Sequence, residues 1–429
     1  AISGGHPSAT TSKKATFMDS NTISRDRPFE PWRRPATPLG REIAEGPLDL
    51  IKRKESRKRA RRARDEFSMR ETVAALVSDV VCCDLAEPGR RISVPLSNQV
   101  LGRRSRYASP ALNRQLPDYI NRLCPEYLCV TVGEWRGAGS GMRTTVGITS
   151  AFRHYIQSLR GSPEDFTVEC SGELLELREA HSGKVRGNLI DYRETDFTML
   201  ERQRMRSINL WISRLDIGWA GEPASCPDLE KRKLRRVFNN GSFEHGGRLF
   251  GGVWMDLSKV DRARWLRLAG EPVATVDYRQ MMPRLLYAQA GAVPPDDCYA
   301  VPGFEAHRAG WKKMLNAMMY NGRGLKRCPR GLRPLLPKRM PIAEAEQRLL
   351  EINKPISHLL KPGVGFQLMF HESQLLIDVL TVLQSRKIPA LPIHDAVLVP
   401  ASMTAEAAHV MCKAFEDMTG YSGAVSIEK

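Results

Sequence analysis

Val273-Ala274-Thr275-Val276-Asp277-Tyr278-Arg279-Gln280 reads as a short apolar strand that ends on a carboxylate. A second stretch, Leu391-Pro392-Ile393-His394-Asp395-Ala396-Val397-Leu398-Val399, sets Asp395 on a tight turn between two apolar segments, Ile388 to Ile393 and Ala396 to Val399. That pattern is a hairpin's. Between the two, His307 to Tyr320 is patterned as a helix and repeats Arg308, Lys312, Asn316 and Tyr320 every four residues, which places all four on one face. Trp311, Leu315, Met318 and Met319 fill the opposite face. Two strand-end carboxylates beside a cationic helix face suit metal-assisted phosphoryl chemistry on a nucleotide. Taken singly, either aspartate also reads as a turn cap, and the helix as an amphipathic one whose polar side is simply wet.

Asp277 and Asp395 are the candidate metal ligands, and Tyr278 adds a backbone carbonyl. Hard oxygen donors of this kind suit Mg²⁺, two ions of it, with Mn²⁺ as a substitute. Two carboxylates brought together repel unless a cation lies between them. Ions about 3.5–4 Å apart would activate a hydroxyl nucleophile and stabilise a leaving pyrophosphate. Lys312 and Arg308, one turn apart, suit a triphosphate clamp. Tyr320 suits stacking on a base pair, and His394 can orient its turn or a phosphate.

The 429 residues are enough for two or three domains, and 42% hydrophobic with 26% charged is ordinary globular composition. Lys and Arg total 65 against 48 Asp and Glu, a formal charge of +17 that favours a polyanionic partner, nucleic acid first. A basic but otherwise ordinary enzyme has the same balance. The nine cysteines include no CxxC pair and no Cys/His grouping at zinc spacing, so they read as reduced thiols. With no long apolar run and no signal-peptide pattern, a soluble cytoplasmic protein is expected, without membrane contact and in a nucleoid, phage or mobile-element setting.

Residues 1–45 are rich in Ser, Thr, Pro and Gly and are expected to be a disordered tail, within which Met18 is a candidate start. Lys52 to Arg64 is a dense basic run, either a solvated helix face or a phosphate-tracking arm, leading into a helical pattern from Phe67 to Val77. Gly137-Ala138-Gly139-Ser140-Gly141 marks a loop. Phe166 to Tyr192 reads as a three-stranded meander with turns at Ser171-Gly172 and His181-Ser182-Gly183, followed by a helix from Thr198 to Leu215. A Pro/Cys/Gly linker, Gly218 to Pro227, is the expected boundary between an N-terminal helical and β-meander region, 46–220, and the catalytic part, 228–429. The whole is expected to be α+β, with an antiparallel sheet carrying both aspartates.

At this point the residues carry a resemblance. Val276 to Arg284 resembles motif A of family A DNA polymerases at Asp277, Tyr278, Gln280 and Arg284. Arg308, Lys312 and Tyr320-Asn321-Gly322 resemble motif B of that family and of phage-type single-subunit RNA polymerases, and Ile393 to Pro400 is similar to motif C of both. The resemblance covers about Arg235 to Lys429 and implies a right-hand fold. Asp277 and Asp395 would lie in the palm, and Arg308, Lys312 and Tyr320 on the fingers helix. By the same implication Lys312 protonates pyrophosphate, Tyr278, Gln280 and Asn316 help bind the nucleotide, and Arg284 touches nucleic acid. Phe243 to Phe250 resembles the segment before motif A whose arginine, here Arg248, touches template or primer.

Several positions depart from the pattern. Met282 stands where DNA polymerases place a glutamate that crowds the sugar, Asn316 replaces an aromatic residue, Ala396 replaces an acid, and Asn321 interrupts a Tyr-Gly pair. The basic, Pro/Gly-broken stretch holding Arg323, Lys326, Arg327, Arg330, Arg333, Lys338 and Arg339 reads as a grip on single-stranded template, or as a solvated loop. Gln367, ahead of a helix from Glu372 to Ser385, is a weaker minor-groove candidate; a core or surface glutamine fits equally. The N-terminal half shows no paired-acid pattern for proofreading. The expected activity is template-directed DNA synthesis from nucleoside triphosphates on a primed template. RNA synthesis by a primase or single-subunit RNA polymerase is one alternative, and a non-catalytic nucleic-acid-binding protein on a polymerase scaffold is the other.

Overall fold

The structure is a computed structural model that describes residues 26–55, 59–102, 104–133, 144–169, 171–181, 187–222 and 225–428. The first 25 residues of the expected tail and the Gly137–Gly141 loop lie outside them. Residues 26–45 are ordered, contrary to expectation. They form β1 (Arg27–Pro28), β2 (Arg33–Pro35) and the start of α1 (Pro38–Lys54). The Thr37 hydroxyl accepts from the Gly40 N–H at 3.1 Å, Pro38 opens the helix, and Lys52, Arg53 and Lys54 sit at its negative end. Composition suggested a loose tail because the tie that orders it is remote: the fully buried Arg33 donates from Nε to Asp79 at 2.9 Å.

Asp79 lies on α2 (Ala63–Ala86), the helix expected from Phe67 onward. The rest of this half is β3 (Ile92–Ser93), α3 (Asn98–Leu101), α4 (Leu116–Leu123), β4 (Leu128–Thr131), β5 (Thr145–Ile148), α5 (Ser150–Ser158) and β6 (Phe166–Val168). They enclose one apolar core running from Phe29 to Phe166, with Val73, Leu76, Val77, Val80 and Val81 of α2 at its centre. One sheet has the order β1-β3-β5-β4, and β2 pairs with β6.

A second core runs from Leu174 to Phe415. It begins with β7 (Leu175–Leu177), α6 (Asp196–Ser213), β8 (Ile217–Trp219), β9 (Arg235–Phe238), β10 (Gly246–Phe250), α7 (Lys259–Trp265) and β11 (Leu266–Leu268). It continues with β12 (Glu271–Tyr278), α8 (Met281–Gln289), α9 (Arg308–Asn321), α10 (Ile342–Ile352) and α11 (Val364–Ser385). The last elements are β13 (Leu391–Ile393), β14 (Ala396–Pro400), α12 (Thr404–Thr419) and β15 (Val425–Glu428). The chain is mixed α+β.

Two expectations fail here. The meander does not form: β6 pairs with β2, whereas β7 pairs in parallel with β9, leaving one bridge from Arg178 to Leu189. Gly172 does turn, at φ 85°, but the chain then enters a different sheet. The expected boundary at Gly218–Pro227 is displaced as well, because β8 is an edge strand of the main sheet and the cores divide between Phe166 and Leu174. β7 and β8 have three residues each, too few for a period to be read.

The main sheet has the order β13-β14-β12-β11-β8, with β15 also on β12. β14 is buried along its whole length, as an apolar run in a central strand should be. The antiparallel pair β12–β14 is registered Val273↔Pro400 through Asp277↔Ala396. α12 packs on β12, β14 and β15, and α11 packs on α12, α8, α9 and β10. Among the described residues no helix is long and apolar enough to cross a membrane.

Candidate active site

The register places the carboxylates. Asp277 is the partner of Ala396, so Asp395, one residue earlier in the hairpin, stands across from the end of β12, and the Tyr278 N–H points at the Asp395 carbonyl at 3.5 Å. Thr275 and Asp277 alternate with buried Ala274, Val276 and Tyr278, so the acid faces the open side of the strand. Non-glycine residues in the left-handed region flank both acids, Gln280 at φ 56° and His394 at φ 57°. Backbone strain of this kind concentrates at functional sites.

Burial, and then the Asp395 carboxylate, push the Asp277 carboxyl up to about 7, while the Lys312 ammonium pulls it down. Its Oδ1 is buried and has no hydrogen-bond partner among the described residues. A buried carboxyl oxygen without a donor suits a cation. Among the described residues no three His, Cys, Asp or Glu side chains gather into a metal-holding cluster. Two carboxylates with an orphaned oxygen fit Mg²⁺, which completes its shell with water and substrate phosphate.

α9 presents its polar stripe as expected: Arg308 and Lys312 are exposed, Asn316 and Tyr320 half-buried, and Trp311, Leu315, Met318 and Met319 buried. The stripe is not uniform in chemistry. Lys312 acts on Asp277, whereas Arg308 forks onto Asp297 at 2.5 and 3.1 Å and lies 5.2 Å from the Tyr299 ring centre. The Tyr320 ring meets Phe366 edge-on at 5.2 Å.

Other expected substrate contacts are spent elsewhere. Strand alternation turns the Tyr278 ring into the core, where its hydroxyl donates to the Met411 carbonyl at 2.6 Å; only its backbone remains at the site. The Gln280 amide bridges to the Asp296 carbonyl and the Cys298 N–H at 2.8 and 2.7 Å, stapling the loop that carries Asp297. Met282 packs partly against the core. Arg284 is half-buried on α8 with an unpartnered Nε among the described residues. His394 is exposed, its ring 6.4 Å from Phe250.

Arg248 of β10 lies near the same acids, but its guanidinium is bound to Glu372 of α11 at 2.6 and 3.1 Å. Asp395 and Tyr320 are close enough for their charges to act on it. Glu372 went unrecognised in the sequence, where its only signal is a lone acid between Phe366 and Ile377. α11 itself begins at Val364, ahead of the expected start at Glu372, and Gln367 is exposed in its first turns. The α9–α11 junction is tight: Gly363 donates to the Tyr320 carbonyl at 2.9 Å. Beyond it, Arg323, Lys326 and Arg327 are exposed, on a loop whose Gly324 and Leu325 N–H groups donate to the buried Glu346 carboxylate at 2.5 and 3.1 Å.

No protein-family model matches the chain, and no curated protein matches it. Among solved structures the chain is similar to the POL domain of Pol1 from M. smegmatis in complex with DNA primer-template and dNTP, at 11% identity and a TM-score of 0.31. The alignment covers 92% of this chain and 66% of that one, so the chain spans a little under two thirds of its length. A likeness this slight is no basis for assigning function.

Proposed function

We propose that the chain is a template-directed nucleotidyltransferase, most simply a compact DNA polymerase of the family A type without proofreading, acting on primed DNA and nucleoside triphosphates. The observation that carries this reading is the β12–β14 register, which puts Ala396 opposite Asp277 and so brings Asp395 near it, with the Asp277 carboxyl raised by burial and then by Asp395 and one oxygen without a partner among the described residues.

In this reading the open β12–β14 face is the palm and α9 the fingers helix. Asp277, Asp395 and the Tyr278 carbonyl would hold Mg²⁺. Bound Mg²⁺ supplies charge that lowers the pKa of the primer hydroxyl and offsets charge on the departing pyrophosphate. Lys312, exposed and already acting on Asp277, binds the triphosphate and gives a proton to the leaving oxygen. Arg308 reaches phosphate only by exchanging Asp297 for it. Tyr320 supports the base pair, and Arg323, Lys326 and Arg327 take template phosphates.

RNA synthesis is the second reading, favoured by Met282, which is partly committed to the core instead of standing free to crowd the sugar. Extension of a labelled primer with deoxynucleotides and with ribonucleotides, in parallel, separates the two. Preferential deoxynucleotide incorporation supports DNA synthesis, and preferential ribonucleotide incorporation overturns it.

A further inference from the structure

Arg248 and Glu372 form a paired unit beside the two aspartates. The Arg248 side chain is 27% exposed and the Glu372 side chain 2%, so the acid of the pair is buried while the arginine stays part-exposed. Nε and one Nη2 hydrogen are given to the carboxylate. A guanidinium has five N–H donors, which leaves Nη1 and the second Nη2 hydrogen for another acceptor.

The acid's own position is over-determined. Ser373, next to it, donates to the Gly246 carbonyl at 3.1 Å and accepts from Arg236 at 2.7 Å, and Arg236 also donates to the Gly247 carbonyl at 2.9 Å. β10 and α11 are therefore locked on either side of the Arg248–Glu372 fork. A carboxylate buried beside two further acids is costly unless it holds a cation in place. A fork fixed before a ligand arrives removes the ordering cost of a long side chain.

We infer that Glu372 is a positioning residue that aims the outward edge of Arg248 at hydrogen-bond acceptors of a nucleic-acid duplex lying over Asp277 and Asp395. The identity of that ligand rests on the polymerase reading.

The test measures affinity of the full chain for a primed DNA duplex and for single-stranded DNA by fluorescence anisotropy, alongside steady-state primer extension. Glu372→Gln, which keeps the shape and removes the charge, is expected to weaken duplex affinity about tenfold, with single-strand affinity and the nucleotide KM unchanged within about twofold. Arg248→Ala is expected to do the same, and the double variant to be no worse than Arg248→Ala alone. Arg248→Lys keeps a charge at a partly exposed position but cannot fork, so it should match Glu372→Gln and decides the matter if that variant does not fold. Wild-type duplex affinity in Glu372→Gln or Arg248→Lys, additive losses in the double variant, or equal losses on single strands would each overturn the inference. A wild type that binds duplex but extends no primer sinks the polymerase reading, while the affinity comparison still decides the role of Glu372.

Discussion

Burial, and then the Asp395 carboxylate, push the Asp277 carboxyl up to about 7 from its ordinary 3.8. Between those values the folded chain holds more protons than the unfolded one, so stability falls as pH rises through that window. The melting temperature of the metal-free protein is accordingly expected to drop by a few degrees from about pH 5 to about pH 8. Mg²⁺ or Mn²⁺ added at the higher pH should restore it. Asp277→Asn should reduce the slope, leaving the part due to Glu372, whose carboxyl burial also pushes up to about 7, and abolish the metal response in the same calorimetric scans. The pair of acids was legible in the sequence because each ends an apolar run; Lys312 was legible because helical spacing puts it with Tyr320. Glu372 and Asp297 were not, since each is defined by an arginine, Arg248 or Arg308, that only the tertiary fold brings to it. The Tyr278 side chain was expected to help bind the nucleotide, but alternation along β12 turns its ring away from Asp277 and leaves only its backbone at the site.

The end of α9 and the start of α11 meet at Tyr320. A Cβ on Gly365 would lie 2.8 Å from the Tyr320 ring, so Gly365→Ala is expected to displace that ring. Primer-extension kinetics should then show a nucleotide KM raised severalfold, by an amount near that of Tyr320→Ala, with the melting temperature changed by at most a few degrees. An unchanged KM would detach Tyr320 from nucleotide binding. The hairpin of β13 and β14 and the helix α9 were readable from local pattern alone. The meander was not, because turn residues report where a chain bends and not which strand it joins next. The start of α11 was hidden for a related reason: Gly363 begins it in the left-handed region, at φ 85°, without a side-chain cap that sequence would show.

Among the described residues the apolar side chains gather into two cores, joined by polar ties. Arg33 bridges Asp79 and Asp228, Thr167 donates to Glu230 at 3.1 Å, and Lys233 sits 4.4 Å from the Trp32 ring centre. Asp79→Ala would leave the buried Arg33 without its acceptor in the first core, and equilibrium unfolding should register a loss of about 3–5 kcal/mol. The α+β class followed from the sequence, but the division between cores did not, because β7 and β8 are short strands contributed to sheets of the second core from the stretch before the expected linker. A net charge of +17 adds a long-range pull on nucleic acid. DNA affinity should fall linearly on a log–log plot against salt, and replacing Arg323, Lys326 and Arg327 together by Ala should reduce the slope by about 2–3 if these groups meet phosphates. If Asp277 and Asp395 act together on a nucleotide, primer extension in Mg²⁺ by wild type, Asp277→Asn and Asp395→Asn reveals it. Extension by the wild type that falls on the order of 10³-fold in both folded variants is the predicted result. Equal extension by all three, or none from the wild type, would contradict it.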